Sequence, residues 1–397
     1  MKNFYELAIN KHREWKGKIK VELNCSLENL EDLSVAYTPG VAQPCLEINR
    51  NPHEAYNYTW KGNVVAVVSD GTAVLGLGDI GPEAALPVME GKAVLFRKFG
   101  GLNAVPLVLN TKDPKEIISI VKAVAPTYGG INLEDISSPR CVEIERQLIR
   151  ELDIPVFHDD QHGTAIVVTA ALINAYKITG KDPKDSVVVV SGAGSAGSSI
   201  VRMIKQLGVG NIYCFDSKGV LSSKNADKYN FVKKEILEIT NNFDEDLTIR
   251  EAMAKADIFI GVSKAGVIDK DMVASMRPDS IVLPLANPEP EIGYHEAVAA
   301  GARIVGTGRS DFPNQINNVL AFPGLFKGAL SVGATKISEE MKHAAALGIA
   351  ESVKPEYLSE NHIVPNVFEE GIADRVAERV GECAREYGLI REGFEEE

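Results

Sequence analysis

The sequence predicts an α/β protein of two domains, each built on a parallel sheet, with helices at the C-terminal end. Three observations lead there. Short apolar runs alternate with helical stretches in both halves of the chain, the pattern of strands joined by crossover helices. At 397 residues the chain is longer than one core usually supports. A β-branched run followed by a glycine-rich turn opens the second half rather than the first.

Residues 1–30 read as a short helix and a charged lead-in, too polar at the start for the apolar segment of a signal peptide. Val64–Val68 reads as a strand ending at Ser69-Asp70-Gly71-Thr72, and Ala104–Leu109 as another ending at Asn110-Thr111. Glu116–Ala125 reads as a helix, and Ile131–Leu133 as a short strand ending on Glu134-Asp135. Ser138-Pro139 then opens a helix, with proline at its first position. Pro155–Phe157 is a further strand, ending on His158-Asp159-Asp160. A long helix from about Gly163 to Ile178 joins the halves, and Gly180-Lys-Asp-Pro183 stops it.

The second half begins with the buried-strand run Val187–Val190. Gly192, Gly194 and Gly197 follow in a G-x-G-x-x-G pattern, with Ser195 and Ala196 inside it. The first glycine suits a tight turn, the second lets a pyrophosphate approach the backbone, and the third lets helix and strand lie close. Free N–H groups at that helix start favour phosphate. The next strand, Ile212–Phe215, ends at Asp216, close to the offset of a carboxylate that binds a ribose 2′-hydroxyl. Together they predict a Rossmann-type, doubly wound dinucleotide domain. Asp216 repels a 2′-phosphate and so favours NAD, while Lys218 could reach a phosphate and keeps NADP as the alternative. Strands at 257–260, 281–284 and 303–305 extend the sheet; Ser263 and Asn287 follow two of them and join the cofactor-binding set. Beyond Pro323 the chain reads as helical and ends in an acidic tail, Glu395–Glu397.

A net charge of −13 argues against a nucleic-acid partner. The longest apolar helix candidate, Thr164–Tyr176, is too short for a bilayer. Five scattered cysteines without a C-x-x-C fit reduced thiols and a cytoplasmic protein.

The acid pairs Glu134-Asp135 and Asp159-Asp160 each follow a short strand, so both emerge on one sheet edge, where ligands bind in open α/β sheets. Several carboxylates there read either as helix caps and loop ends or as oxygen ligands for Mg²⁺ or Mn²⁺. His158 and His162 have no cysteine or histidine cluster to complete a zinc site. Lys92 precedes an apolar helix; alone it reads as a solvated charge, and to serve as a base it must lose its proton near neutral pH. Tyr37, in Tyr37-Thr-Pro-Gly40, reads alone as a loop residue. Asn287 and Asn318 sit where an amide could hydrogen-bond a carboxylate or carboxamide.

In order along residues 30–330, several motifs resemble those of the malic enzymes in their short prokaryotic form: Tyr37-Thr-Pro-Gly-Val, Asp70-Gly-Thr with Leu75-Gly-Leu-Gly-Asp79, Gly91-Lys92, Leu133-Glu-Asp135, Phe157-His-Asp-Asp-Gln-His-Gly-Thr164, the glycine turn, Ala286-Asn-Pro and Asn317-Asn-Val-Leu-Ala-Phe-Pro-Gly324. The resemblance implies oxidative decarboxylation of L-malate to pyruvate and CO₂. It implies metal ligands Glu134, Asp135 and Asp160, with Asp159 behind them. Lys92 becomes the base for the C2 hydroxyl and Tyr37 the acid that protonates C3; Asn287 and Asn318 orient substrate and nicotinamide. Longer members carry an arginine for a substrate carboxylate just before Leu-Gly-Leu-Gly-Asp; Thr72-Ala73-Val74 stands here instead. Arg97, Lys98 or backbone N–H groups near Thr38 or Gly40 are the replacements expected for the C4 carboxylate. The domains divide as 1–160 for substrate and metal, 161–385 for NAD with the C-terminal helices, and 386–397 as the tail. A homodimer is the default for a family of oligomers.

Two rival readings differ in what they leave out. A non-decarboxylating dehydrogenase of a small hydroxy or amino acid accounts for Gly192–Asp216 but not for the acid pairs. A dinucleotide-sensing protein without activity accounts for neither the acids nor Lys92 and Tyr37.

Overall fold

Both parallel sheets expected from the sequence are present in the structure, a computed structural model that describes residues 4–392 and 394. The expected acidic tail Glu395–Glu397 lies outside the described residues. Four short helices open the chain: α1 (Phe4–Trp15), α2 (Leu30–Ala36), α3 (Ala42–Arg50) and α4 (Ala55–Tyr58). The first sheet follows with β1 (Val64–Ser69), α5 (Pro82–Gly100), β2 (Asn103–Val108), α6 (Pro114–Val124), β3 (Gly130–Leu133), α7 (Arg140–Glu151) and β4 (Val156–His158). Its strand order is β2-β1-β3-β4, all parallel. Every residue of β1 is buried, because helices cover both faces of a central parallel strand.

Helix α8 (Asp159–Thr179) leads to the second unit: β5 (Val187–Ser191), α9 (Ser195–Gln206), β6 (Asn211–Asp216), β7 (Gly219–Val220), α10 (Phe231–Leu237), α11 (Ile249–Met253), β8 (Ile258–Gly261), α12 (Lys270–Ala274), β9 (Ile281–Pro284), α13 (Tyr294–Ala299) and β10 (Ile304–Val305). This sheet runs β10-β9-β8-β5-β6-β7, and only the β6–β7 pair is antiparallel. The strand order reverses between β1 and β3 in the first sheet and between β5 and β8 in the second. Such switch points open crevices at the carboxyl ends of the strands. Glu134-Asp135 follows β3, and the glycine turn follows β5, so both candidate sites sit at a crevice.

Three helices close the fold: α14 (Phe322–Ser331), α15 (Glu339–Ser352) and α16 (Ile372–Glu386). Phe322 and Phe326 of α14 pack against Phe96 of α5 at 4.7 and 5.4 Å between ring centroids, and Phe326 meets Phe157 at 6.0 Å. These are edge-to-face contacts, the arrangement aromatic rings prefer. Helix α8 is buried nearly all round, as a helix must be when elements of both units cover it. Its Asn174 amide donates to Ala350 O and Ile363 O, each at 2.9 Å.

Three local expectations need correction. Lys92 does not precede a helix; it lies within α5, on its buried side. The long joining helix begins at Asp159 rather than near Gly163, so the second acid pair is its first turn. Pro139 occupies the position before α7 instead of its first turn. The first four helices contain no buried residue.

Gly192 and Gly197 hold the turn after β5 shut. A Cβ on Gly197 would stand 1.6 Å from Gly192 O. Gly192 has φ of +116°, and its Cβ would meet Val262 O at 2.5 Å. Gly197→Ala therefore forces the turn apart, and overpacking of this kind costs about 1–3 kcal/mol. A urea unfolding midpoint equal to that of the parent would reject this account of the turn.

Candidate active site

Glu134 and Asp135 leave the end of β3, and Asp160 stands in the first turn of α8 beside them, because β3 and β4 are neighbours in register. One carboxylate oxygen from each lies within 4.8 Å of the others. Asp135 has a positive φ of 55°, a conformation aspartate tolerates better than most residues. Two hydrogen bonds hold it there: its N–H donates to Asp160 Oδ2 at 2.7 Å, and its carbonyl accepts from Ala73 N–H at 2.9 Å. Glu134 Oε2 accepts from the Asn132 amide at 2.9 Å.

Glu134 and Asp135 are buried. Burial raises the Glu134 carboxyl well above its ordinary range, with Lys92 opposing. Burial and then the Asp160 charge push Asp135 up to about 8. A positive charge close by would favour the ionised form of both. Asp135 Oδ2 and Asp159 Oδ1 are buried with no hydrogen-bond partner. An all-oxygen donor set of this kind suits a hard divalent cation.

Lys92 supplies the one cation among the described residues lining the cleft. Its Nζ is 2.6 Å from Asp159 Oδ2, 3.0 Å from Glu134 Oε1, and 4.2 Å above the Phe322 ring. Burial would lower the Lys92 pKa, but Asp159 and then Glu134 outweigh it and the net shift is upward. Asp159 Oδ2 also accepts from the Asn318 amide at 2.9 Å, and Asn318 Oδ1 accepts from the Thr164 hydroxyl at 2.9 Å. Gly163 makes this possible. A Cβ there would stand 2.1 Å from Asp159 Oδ1 and 3.0 Å from Asn318. What reads in the sequence as a helix start is a close approach.

The cleft around these groups has a volume of about 680 Å³ and reaches Ser195, Ala196, Ser263, Asn287 and Asn318. It shares Ser138 and Ser263 with a groove of about 640 Å³ along Gly192, Gly194 and Asp216. A Cβ on Gly194 would meet nothing within 4 Å, so open space lies beside the backbone where a pyrophosphate would approach. Acids at one end and the glycine turn at the other thus share one continuous depression.

Several contributors were not visible in the sequence. Lys233 reaches Asp216 Oδ2 at 2.6 Å, while Asp216 Oδ1 accepts the Lys218 N–H at 2.7 Å. Burial would raise the Asp216 pKa, but Lys233 and that N–H more than offset it. The cation beside Asp216 is therefore Lys233; Lys218 contributes its backbone. Fully buried Glu291 accepts from Ser263 N–H at 2.7 Å and Ala286 N–H at 3.1 Å, tying the β8 and β9 ends together. Arg140 links Asp70, Thr72 and Ser137 at 2.9–3.0 Å, bracing the loop after β1 against the loop after β3. Proximity of this kind has no local signal.

Some expected residues are not in the cleft. Tyr37 is 68% exposed at the end of α2 and does not line it. Arg97 donates to Gly101 O at 2.9 Å, and Lys98 lines a separate groove with Phe368. Neither is placed to hold a substrate carboxylate beside Lys92.

Residues 16–149 match the family described as malic enzyme, N-terminal domain, and residues 161–385 match malic enzyme, NAD binding domain. The bifunctional malic/malolactic enzyme of Bacillus subtilis is 51% identical over 386 residues, covering 97% of this chain and 94% of its own. The NAD-dependent malic enzyme of Geobacillus stearothermophilus is 50% identical, over 94% of this chain and 78% of its own. A crystal structure of the malic enzyme of Pyrococcus horikoshii superposes with a TM-score of 0.93 at 46% identity, covering 98% of this chain and 93% of that one.

Gly163→Ala should push Asp159 away from Lys92 without touching the dinucleotide groove. Displacements of about 1 Å at a reacting group cost on the order of 10²-fold in rate. Turnover should fall by that order while NADH binding, read by fluorescence, stays at the parental value. Unchanged turnover would show that the Asp159–Lys92 contact has no part in the chemistry.

Proposed function

The chain belongs to the malic enzyme family, and from that premise we propose how its own residues carry the oxidative decarboxylation of malate to pyruvate and CO₂ with reduction of NAD. The observation that carries the proposal is buried Lys92, held between Glu134 and Asp159 beside three clustered carboxylates, in a cleft that runs on to the glycine turn.

Glu134, Asp135 and Asp160 would hold Mg²⁺ or Mn²⁺. A divalent cation there supplies a Lewis acid that polarises the substrate oxygen and stabilises the charge left as CO₂ departs. Gly192, Gly194 and Asp216 would hold NAD along the glycine turn, which when bound would supply the hydride acceptor for C2. Lys92 takes the C2 hydroxyl proton. The surrounding acids favour the protonated lysine; a cation held among them would offset that field and leave burial, which favours the neutral amine. Asp159 orients Lys92 and Asn318 through one oxygen. Asn318 and Asn287 hydrogen-bond substrate and nicotinamide. Asp216 favours NAD, and its neighbour Lys233 is the cation a 2′-phosphate would meet.

Tyr37 protonates C3, and it does so in the site of a second copy. Its exposure supports this, as do the exposed side chains of Leu30, Val35 and Leu46 in the same segment. A groove of about 860 Å³, lined by His12, Trp15, Leu75, Val88 and Leu95, opens directly onto Lys92 and Glu134. The segment around the partner subunit's Tyr37 would fill it and bring donors for the C4 carboxylate. We read the protein as a cytoplasmic homodimer divided after residue 160; five free thiols support the location, and among the described residues no helix is long and apolar enough to cross a membrane.

Malate with NAD and Mn²⁺ should yield NADH, pyruvate and CO₂, and Asp160→Asn should abolish both turnover and its dependence on Mn²⁺. Full Mn²⁺-stimulated activity in that variant would refute the ligand assignment. Tyr37→Phe and Lys92→Ala should each be nearly inactive, and mixing the unfolded chains and refolding them should restore about a quarter of parental activity, since half the dimers carry one intact shared site. No recovery on mixing would place Tyr37 within its own subunit. Asp216→Ala should shift the NAD to NADP ratio of kcat/KM toward NADP by about tenfold or more, the worth of a charged hydrogen bond; Lys233→Gln should shift it the other way. Ratios unmoved by either change would remove this basis for cofactor choice.

A further inference from the structure

We propose that Glu145 is a positioning residue for the acid-bearing first turn of α8, setting where Asp160 presents its carboxylate. The proposal rests on the reading of Glu134, Asp135 and Asp160 as the cation site. Glu145 lies on α7 and is 4% exposed. One of its oxygens accepts the His158 N–H at 2.8 Å; the other accepts from the Gln161 amide at 3.1 Å and meets His162 Nε2 at 2.9 Å. These three partners flank Asp159-Asp160 on both sides, so a single carboxylate holds the turn at its start and its end.

The turn needs an external partner. The first N–H groups of a helix have no partner within it, and the residue before α8, His158, makes no side-chain cap. A carboxylate at that position also meets the positive end of the helix dipole. The neighbouring Arg146 does not compete for Glu145, since it pairs with Glu235 at 2.7 and 2.6 Å. Beyond the turn, His162 Nδ1 meets Ser199 Oγ on α9 at 3.2 Å and Lys342 Nζ on α15 at 3.2 Å. The Glu145 contact thus locks the acid turn to the helix that follows the glycine turn and to the C-terminal helices. Groups that orient a metal ligand typically contribute about 10- to 100-fold in metal affinity.

Glu145→Gln keeps the shape but sets an amide NH₂ against a ring of donors. Mn²⁺ binding to the protein, read by loss of the free-ion electron paramagnetic resonance signal, should weaken by about 10- to 100-fold. NADH affinity, read by fluorescence, should stay within about twofold and certifies the fold. An Mn²⁺ affinity within about twofold of the parent in a variant that binds NADH would overturn the proposal, leaving Glu145 a purely structural residue. Should Glu145→Gln fail to bind NADH, Gln161→Met removes one of the three donors alone; weakened Mn²⁺ binding there supports the proposal and unchanged binding overturns it. Parent protein that takes up no Mn²⁺ would instead overturn the cation-site reading itself.

Discussion

Like charges held together, three of them buried and Asp160 half-buried, are the constraint on which this fold is organised. Glu134, Asp135, Asp159 and Asp160 converge on one cleft with Lys92 as their neighbour. Repulsion among them is tolerable only if each is clamped and if positive charge is close by. The clamps come from every part of the chain: Asn132 from β3, the Ala73 backbone from the loop after β1, Asn318 from just before α14. Phe322 then covers the lysine. An arrangement this unfavourable in isolation makes sense as a receptor for a divalent ion and a substrate, in which the cost is offset on binding.

Features with a local signature were legible in the sequence. The glycine turn, the carboxylates at strand ends and the alternation of strands and helices depend on neighbours in the chain, so pattern and propensity reveal them. The structure brings Glu134, Asp135 and Asp160 within reach of one another because their strands are adjacent. Lys92 reads as a solvated charge before a helix, whereas tertiary packing buries it within α5. Gly163 reads as the start of the long helix, although that helix begins at Asp159 and Gly163 is there for want of space. Lys233, Glu145, Glu291 and Arg140 carry no local mark, since each acts across a gap in sequence that only folding closes. Tyr37 shows the opposite limit. Its motif is plain, yet the single chain leaves it on the surface.

Coupling between the two units runs through α8. The same helix begins with the acids and packs along α9 of the dinucleotide unit, and its 21 residues contain no proline. The distance from acid turn to glycine turn is therefore set by a rod rather than by a linker. The crevice loops after β1 and β9 are braced by Arg140 and Glu291 at their bases.

The aromatic cluster of Phe96, Phe157, Phe322 and Phe326 has a consequence for how the protein comes into being. Two of its rings emerge early from the ribosome and two emerge late. The first 160 residues by themselves leave the sides of Phe96 and Phe157 that meet Phe322 and Phe326 uncovered, although the helix that carries Lys92 still packs on β1 and β2. Contacts this distant in sequence form slowly and leave early segments prone to aggregation. The lysine's surroundings are thus completed among the last events of synthesis, and the first unit is poorly suited to existence as a separate domain.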